Sequence, residues 1–411
     1  MPDMQDKIIT ENGVYTSDYP YWGLGTVTVE TEDQWLKRAE MLDYMFYYKS
    51  YIDFNRFNIY DAWSIAYMFD GCSSLTDMTI DGTSISRSTY AFANCPKLKS
   101  VTFNCEVNNT SIPSTAKDIT NDVNYTFHRS SADVDVLHVH FKGKPYCYYM
   151  FRNSYAKSIK ITTDYAEKTV SDMRHAFDNC DKLKSVDLAD LKLSDISGMF
   201  YNCTSLASIS DLKLDTSECT NMDSTFYGCS SLTSFSDLDL DTSKCINMKS
   251  MLHYCTSLTS VSLTKSSKCT NFENIVDNCK SLETINLNTD SCTTIGSAFS
   301  ACTSLKNITL SSVKSLSGSN NMKGYVFNRC AALENLIIND TETTTVSIDL
   351  HYSTNLTVDS MLSIFNSLKT RDTMQTSSNA DEGVVYLGST NLAKLTDEQK
   401  AIAASKNWLL V

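Results

Sequence analysis

A seven-residue frame recurs along most of this chain of 411 residues, between about Met68 and Leu336. Each copy has an aromatic or aliphatic residue, a cysteine three positions later and a leucine three positions after that, as in Phe226, Cys229 and Leu232. The frame cysteines are Cys72, Cys95, Cys180, Cys203, Cys229, Cys255, Cys279, Cys302 and Cys330. From Cys180 onward they lie 23, 26, 26, 24, 23 and 28 residues apart. A period in the twenties predicts a solenoid, in which each coil buries its apolar edge against the next coil.

Two apolar patterns fill one coil. The first is a spacing of 3, 4 and 3, typical of one face of a helix, and it is seen in Cys219, Met222, Phe226 and Cys229. The second lies in residues 258–263, where apolar residues alternate with serine as they do in strands. We therefore expect each coil to be a short helix, a turn and a short strand, with the strands about 4.8 Å apart in one parallel sheet.

The frame is weaker between Cys95 and Cys180, but it continues there. Serine takes the cysteine position at Ser130 and Ser154, which brings the predicted number of coils to eleven. The step from Cys95 to Ser130 is 35 residues, and it predicts an inserted loop within residues 105–121. The expected fold class is thus an α/β solenoid with a parallel sheet on one face.

The charge of the chain excludes some partners. Its net charge is −13, and no block of lysine and arginine occurs. Nucleic acid is therefore not an expected partner, because phosphate binding needs a basic patch. No stretch approaches 18 consecutive apolar residues, so membrane insertion is not expected either. The first residues carry no basic and apolar leader, which predicts a protein made in a cytoplasm without export.

The fifteen cysteines are predicted to be buried thiols rather than disulfides. Their number is odd, they follow the repeat frame, and free cysteine behaves as a small hydrophobic residue. The alternative is that some pairs bridge neighbouring coils, which would require an oxidising environment.

Three segments flank the repeats, which we place at residues 65–345. Residues 1–33 predict a small β module around the turn Asn12-Gly13. Residues 34–64 begin as a helix and are crowded with aromatic residues, which predicts either a cap on the first coil or an assembly interface. The candidate interface residues are Tyr44, Tyr47, Tyr48, Tyr51 and Trp63, with Tyr146 and Tyr148 further along the chain.

Residues 346–411 predict an α/β capping unit. A helix over 356–368 has Thr357 as its N-cap, and a polar loop over 370–383 follows. A strand at 384–387 and a helix over 397–406 complete the unit.

Catalytic and metal motifs are not found. His138 and His140 lie on one face of a predicted strand, but no cysteine or carboxylate stands at a matching spacing for a metal. Asp237, Asp239 and Asp241 form an acidic group that is more typical of a solvated face than of a calcium site. We therefore predict no catalytic residue, no cofactor, no metal and no enzymatic activity.

The coil motif, as in Met199 to Leu206, resembles the BspA-type leucine-rich repeats over about two thirds of the chain. Both ends are similar to modules of tail and other virion proteins from phages of gut bacteria: Ile9 to Thr16, and Leu387 to Thr396 with Lys406-Asn407-Trp408. That family commonly has Lys-Gly-Trp at its end, and here Asn407 replaces the glycine.

The resemblance implies a non-enzymatic virion structural protein whose solenoid binds other virion proteins, or a host-surface protein or glycan, as a homo-oligomer within the particle. The alternative is a bacterial cell-surface or secreted adhesin with the same repeats. A third hypothesis, a carbohydrate-active enzyme, depends only on aromatic residues such as Tyr146, Tyr148 and Tyr149.

Overall fold

The structure is a computed structural model that describes residues 42–52, 54–60, 62–107, 125–170, 172–236, 240–310, 325–338, 347–374 and 382–411. The chain divides into two units between Asp172 and Met173. The β module predicted for residues 1–33, most of the predicted inserted loop, and Asp237 and Asp239 lie outside the described residues.

Parallel strands of the first unit pair in the order in which they follow one another in the chain. They are β1 (Arg56–Asn58), β2 (Asp77–Ile85), β3 (Ser100–Val107), β4 (Val136–Phe141) and β5 (Ser158–Thr163). The register brings like positions of neighbouring coils together: Phe103 of β3 lies opposite Phe141 of β4, and their rings stack at 5.4 Å in the interior. Alternate residues of each strand face outward, as a half-buried sheet requires.

The second unit has parallel strands of the same kind. In one group, β6 (Ser185–Lys192) pairs with β7 (Leu212–Asp215). A five-stranded sheet then runs in chain order through β8 (Ser234–Ser236), β9 (Ser260–Leu263), β10 (Thr284–Leu287), β11 (Asn307–Leu310) and β12 (Asn335–Ile338). The parallel-sheet solenoid expected from the repeat is confirmed within both units.

The short helix predicted in each coil is wrong, because the described coils form turns at these positions. In residues 196–203, every second N–H donates to the next coil, as Phe200 does to the Thr225 carbonyl at 2.8 Å. From Met199 onward, the intervening N–H groups donate three residues back, as Cys203 does to Phe200 at 3.1 Å. We call this arrangement the turn ladder. An α-helix would use its N–H groups internally and leave few for the neighbouring coil.

The turn ladder includes the described part of the segment predicted as a helical cap. Leu42, Tyr44, Phe46 and Tyr48 donate their N–H groups to the carbonyls of residues 64, 66, 68 and 70, and the Phe46 ring stacks on Phe69 at 5.3 Å. Residues 42–58 are therefore a further coil, with Lys49 at the cysteine position, and the helix predicted there is not formed by the described residues.

A column of stacked phenylalanine rings fills the turn side of each unit. In the first unit, neighbouring rings lie 4.9 to 5.6 Å apart through Phe46, Phe69, Phe92, Phe127 and Phe151. In the second unit, Phe177, Phe200 and Phe226 stack at 5.4 Å. Each ring that is lost from such a column leaves a cavity in a close-packed core.

Beyond Phe299, the frame aromatic Phe327 lies in a 3-10 helix, Tyr325–Phe327, and the chain then forms a small α/β unit. Its elements are β13 (Ile348–Asp349), α1 (Val358–Ser367), β14 (Val384–Tyr386), α2 (Gly388–Leu392), α3 (Asp397–Ser405) and β15 (Leu409–Leu410).

Helix α1 lies beside the last strand of the five-stranded sheet. Thr357 caps this helix by accepting the Ser360 N–H, as predicted. Ser360 Oγ accepts the Leu336 N–H at 2.7 Å and donates to the Leu336 carbonyl at 3.1 Å, so a serine side chain satisfies backbone groups of β12.

Candidate binding surface

The predicted core residues lie in the interior. Phe226, Leu232 and the nine frame cysteines are fully buried, with 0% exposure. Most frame thiols donate to the carbonyl of the frame residue one coil earlier, as Cys229 Sγ does to Phe200 at 3.2 Å and Cys330 Sγ does to Phe299 at 3.0 Å. At the serine position, Ser130 Oγ donates to Phe127 at 2.7 Å instead. These side chains are packing groups with a satisfied donor.

All fifteen cysteines are free and buried in the structure. Burial raises the pKa of the Cys72 and Cys229 thiols to about 12. At neutral pH these groups stay protonated, and a protonated thiol is neither a nucleophile nor a metal ligand. The repeat cysteines therefore form the wall of the solenoid and do not supply a reactive site.

A row of tyrosines follows the turn ladder of the first unit. It occupies the position two residues before the frame aromatic in each described coil, and we call it the tyrosine ridge: Tyr44, Tyr67, Tyr90, Tyr125 and Tyr149. The first four rings stack nearly parallel, 4.7, 5.1 and 5.2 Å apart from one to the next. None of these rings is fully buried.

Each ridge tyrosine has a left-handed backbone. Their φ angles lie between 50° and 60°, as in Tyr90 at 56°. This region favours glycine and asparagine, and for an L-residue with a bulky side chain it costs about 1–2 kcal/mol. Glycine or asparagine would close the turn at a lower cost in free energy than tyrosine.

Most coils of the second unit have a small residue at the same position. After His175, the equivalent residues are Gly198, Ser224, Ser250, Asn274 and Ser297, all with φ between 53° and 61°. The last described coil has Tyr325 at this position, in a 3-10 helix. The turn ladder therefore forms equally well with small side chains, and the tyrosines of the first unit are not required by the coil.

Arg152 contacts the last two tyrosines of the ridge. The Arg152 guanidinium carbon lies 5.3 Å from the Tyr125 ring centroid and 5.1 Å from that of Tyr149, and Arg152 Nη1 donates to Tyr125 Oη at 2.8 Å. Cation–π contacts of this kind are stronger with arginine in a partly desolvated position. Arg152 therefore links Tyr149 to the four stacked rings.

Three of the predicted interface tyrosines extend the ridge into solvent. Tyr47 is 37% exposed, Tyr48 60% and Tyr51 73%. The Tyr48 ring covers Gly71, where an added Cβ would lie 2.8 Å from the ring, so glycine is needed at that position. Tyr148 is half-buried and meets Tyr149 edge to face at 4.6 Å.

Two predicted interface residues are not on this surface. Trp63 is 7% exposed and Tyr146 is 8% exposed, so neither is available to a partner in this structure. Both lie just before a turn ladder, where the backbone bonds to the following coil: the Trp63 carbonyl accepts from Ser86 N–H at 2.9 Å, and Tyr146 bridges to Asp172. Their assignment to an interface is corrected by this burial.

The ridge was not predicted as a unit, although the sequence contains a signal for it. Five Tyr-x-Phe triplets occur in the first unit, beginning at Tyr44, Tyr67, Tyr90, Tyr125 and Tyr149. The spacing shows that they share a register, but it does not give the sign of φ or the direction of the rings.

The carboxylates in the turn ladders that carry the tyrosine ridge are buried. Asp43 is 8% exposed and pairs with Arg87 and Ser64, and Asp70 is 5% exposed and accepts from Asn94 Nδ2 at 2.7 Å. Burial raises the pKa of both carboxyl groups. The described turn ladders of the first unit therefore direct little negative charge outward.

The two histidines considered for a metal share a hydroxyl group. His138 Nε2 and His140 Nδ1 both lie 2.9 Å from Thr162 Oγ1 on the outer face of the sheet. Among the described residues, no group of three or more His, Cys, Asp or Glu is placed to hold a metal ion. Asp241 accepts the Ser243 N–H at 2.9 Å, an interaction typical of a turn, and this bond lowers its pKa.

Coils of parallel strands and turns, each one buried against the next, define a leucine-rich-repeat solenoid. Residues 40–130 match the BspA type Leucine rich repeat region family, and residues 145–257 and 171–289 match a family described as Mycoplasma protein of unknown function, DUF285. The match to leucine-rich repeats of the BspA type thus covers residues 40–130, and the coils from residue 145 to residue 289 match the second family.

Solved structures give looser similarities. A leucine-rich repeat protein from Bacteroides ovatus ATCC 8483 is 17% identical, with 62% of this chain and 61% of that chain covered and a TM-score of 0.31. A structure of a TLR13–ssRNA13 complex is 13% identical, with 80% of this chain and 51% of that chain covered and a TM-score of 0.24. No curated protein sequence matches the chain.

None of the helices in the described part of the chain has the length and hydropathy needed to span a bilayer.

Proposed function

We propose that this protein is a non-enzymatic binding scaffold and that the tyrosine ridge of the first unit is its contact surface for another protein. One observation carries this proposal: the described coils of the first unit place tyrosine in a left-handed backbone position that five coils of the second unit fill with glycine, serine or asparagine. Strained residues that a fold does not need are a signal of function.

The composition of the ridge supports a protein partner. Tyrosine and arginine are enriched in protein interfaces and among the residues that dominate binding energy. The ridge combines stacked tyrosines with Arg152, and Tyr48 and Tyr51 project beside it. Because the rings are already stacked on one another, few faces remain for a sugar ring. This favours a protein over a glycan.

The setting of this binding is proposed from the ends of the sequence. Their similarity to phage virion modules supports a place in a virion, where the partner is a neighbouring virion protein or a host-surface molecule. A bacterial surface adhesin is the alternative, because the repeat class itself fits both. Separating particles from cell envelopes and detecting this chain by mass spectrometry tests the choice: enrichment in envelopes and absence from particles would exclude the virion role.

The binding role is tested with a double variant at the centre of the ridge. Asparagine tolerates the left-handed region, so Tyr67→Asn with Tyr90→Asn should fold while removing two stacked rings. The matched control is Ser224→Asn with Ser297→Asn, which changes the same position in the second unit. The full chain is immobilised, exposed to proteins from particle and envelope fractions, and its bound proteins are identified.

We expect one protein to be retained by the wild type and by the control but lost from the tyrosine variant. Equal retention by all three chains, each with an unchanged circular dichroism spectrum, would exclude the ridge as the contact surface.

A further inference from the structure

We infer that the partner presents an acidic segment with apolar residues to the tyrosine ridge. This inference rests on the proposed function and adds the chemistry of the partner. It combines two features of the surface: the charges that reach solvent from the turn ladders of the first unit, and the part of each tyrosine ring that is left uncovered.

The charges on this surface have the opposite sign to the chain as a whole. The chain has a net charge of −13. In the described turn ladders of the first unit, the carboxylates are Asp43 and Asp70, both more than nine-tenths buried. Arg129 is exposed, and Arg152 is half-buried at the end of the ridge. A basic local field on an acidic protein attracts an acidic partner and repels basic ones.

Lys49 adds to this field at the other end of the ridge. It follows Tyr48 directly and is half-buried. Arg87 is already paired with Asp43, so it contributes little to the outward charge. Lys49 thus lies at one end of the stacked rings, Arg129 and the Tyr125-bound Arg152 lie at the other, and the aromatic part is between them.

The uncovered part of the rings also suits carboxylates. Neighbouring rings from Tyr44 to Tyr125 lie within 17° of parallel, so their faces are covered by one another. His128 packs edge to face against Tyr90 and Tyr125, and Tyr47 against Tyr44, so the part of each edge that these contacts leave uncovered faces a partner. An aromatic edge carries the positive end of the ring quadrupole and so attracts a carboxylate. Apolar residues of the partner would cover the ring carbons between these points.

A selection from a random peptide library tests the inference without a known partner. Peptides of about 16 residues, long enough to extend along the four stacked rings, are selected on the immobilised full chain. Binders that also bind the Tyr67→Asn, Tyr90→Asn variant are removed. We expect the remaining peptides to be enriched in aspartate, glutamate and apolar residues relative to the starting library.

The possible outcomes separate the two proposals. Enrichment of neutral or basic peptides that depends on the tyrosines would overturn the acidic partner while leaving the ridge as a binding surface. No tyrosine-dependent enrichment would overturn the binding role of the ridge itself. If the immobilised chain retained heparin, or vesicles containing phosphatidylserine, more strongly than any selected peptide, the proposal of a protein partner would be overturned.

Charge variants give a second readout on one selected peptide. Lys49→Gln with Arg129→Gln should weaken its binding about tenfold, and raising NaCl from about 50 to about 500 mM should weaken binding to the wild type by a similar factor. The matched control, Lys280→Gln with Lys306→Gln, removes two exposed lysines from the second unit and should change neither value. An equal effect of both pairs would overturn the local charge argument.

Discussion

The two units of this protein have the same kind of interior and differ on the turn side. Frame aromatics stack at 5.2 Å between Phe69 and Phe92 in the first unit and at 5.4 Å between Phe200 and Phe226 in the second. Two residues before the frame aromatic, the described coils of the first unit have tyrosine, whereas most of the second unit has glycine, serine or asparagine.

This difference shows which positions of a repeat tolerate different residue types. An inward residue must fit the equivalent residues of the coils on either side, so one substitution disturbs a whole column. A residue on the turn side has no such neighbour in the core. Five tyrosines at a position where small residues suffice therefore point to an interaction outside the coil.

The largest expected difference between the units is in how much stability each loses at alkaline pH. Burial raises the pKa of four thiols in the first unit and of ten in the second, from an ordinary value of 9.0. Above pH 9 the unfolded chain loses these protons before the folded chain does. Stability is therefore complete below about pH 8 and falls above it, by about 1.4 kcal/mol per thiol for each pH unit.

The second unit should consequently open at a lower pH than the first. Digestion with an alkaline protease between about pH 7 and pH 10, with the fragments assigned by mass spectrometry, measures this order. Earlier cleavage within the described coils of the first unit would contradict the thiol account.

Because the two units have the same kind of interior, one core substitution in each unit should reduce the free energy of unfolding by the same amount. Phe92→Ala and Phe226→Ala should each reduce the free energy of unfolding by about 3–5 kcal/mol, because each removes a fully buried ring from a stack. Urea denaturation followed by circular dichroism gives both values. If the free energy of unfolding fell by less than about 1 kcal/mol in one unit only, the column of rings in that unit would not contribute to stability as proposed.

Exchanging the residue types on the turn side should have a smaller and asymmetric effect. Ser224→Tyr is expected to cost about 1–2 kcal/mol, since a tyrosine there has neither Gly198 nor Ser250 as a stacking partner. Tyr90→Asn should stay within about 1 kcal/mol, because the lost ring contacts are offset by relief of the left-handed backbone. Thermal denaturation compares the two, and a larger loss for Tyr90→Asn would mean that the ridge mainly stabilises the fold.

The smallest effects are expected on the outer sheet faces. Ser260 and Ser262 of β9 and Thr102 of β3 all face outward, and the neighbouring Val261 and Leu263 are buried. Alanine at any of the three should change the free energy of unfolding by no more than about 0.5 kcal/mol. A loss comparable to that of Phe226→Ala would contradict the assigned strand orientation.

Much of the fold could be predicted from the spacing of residues alone. The frame places Phe226, Cys229 and Leu232 inside, and the alternation in residues 258–263 gives the strand β9. The predicted helices in the coils were wrong because the spacing of 3, 4 and 3 fits a turn ladder as well as a helix. The spacing gives the side that faces inward and not the partners of the N–H groups.

The candidate surface was predicted only in part. Tyr44, Tyr47, Tyr48 and Tyr51 lie on or beside the ridge, whereas Trp63 and Tyr146 are buried. Aromatic residues are equally common in cores and in interfaces, so composition does not separate the two. The direction of each ring depends on the backbone at that residue and on the coil next to it.

The period, the inward residues and the parallel strands follow from the sequence alone, because they depend on a repeated pattern of apolar residues. Three features depend on the tertiary structure: every second N–H of a coil bonds to its neighbour, Tyr44 to Tyr125 stack in left-handed positions, and Asp43 and Asp70 turn inward. These features arise from contacts between coils about 20 or more residues apart, and such contacts form only when the coils are stacked.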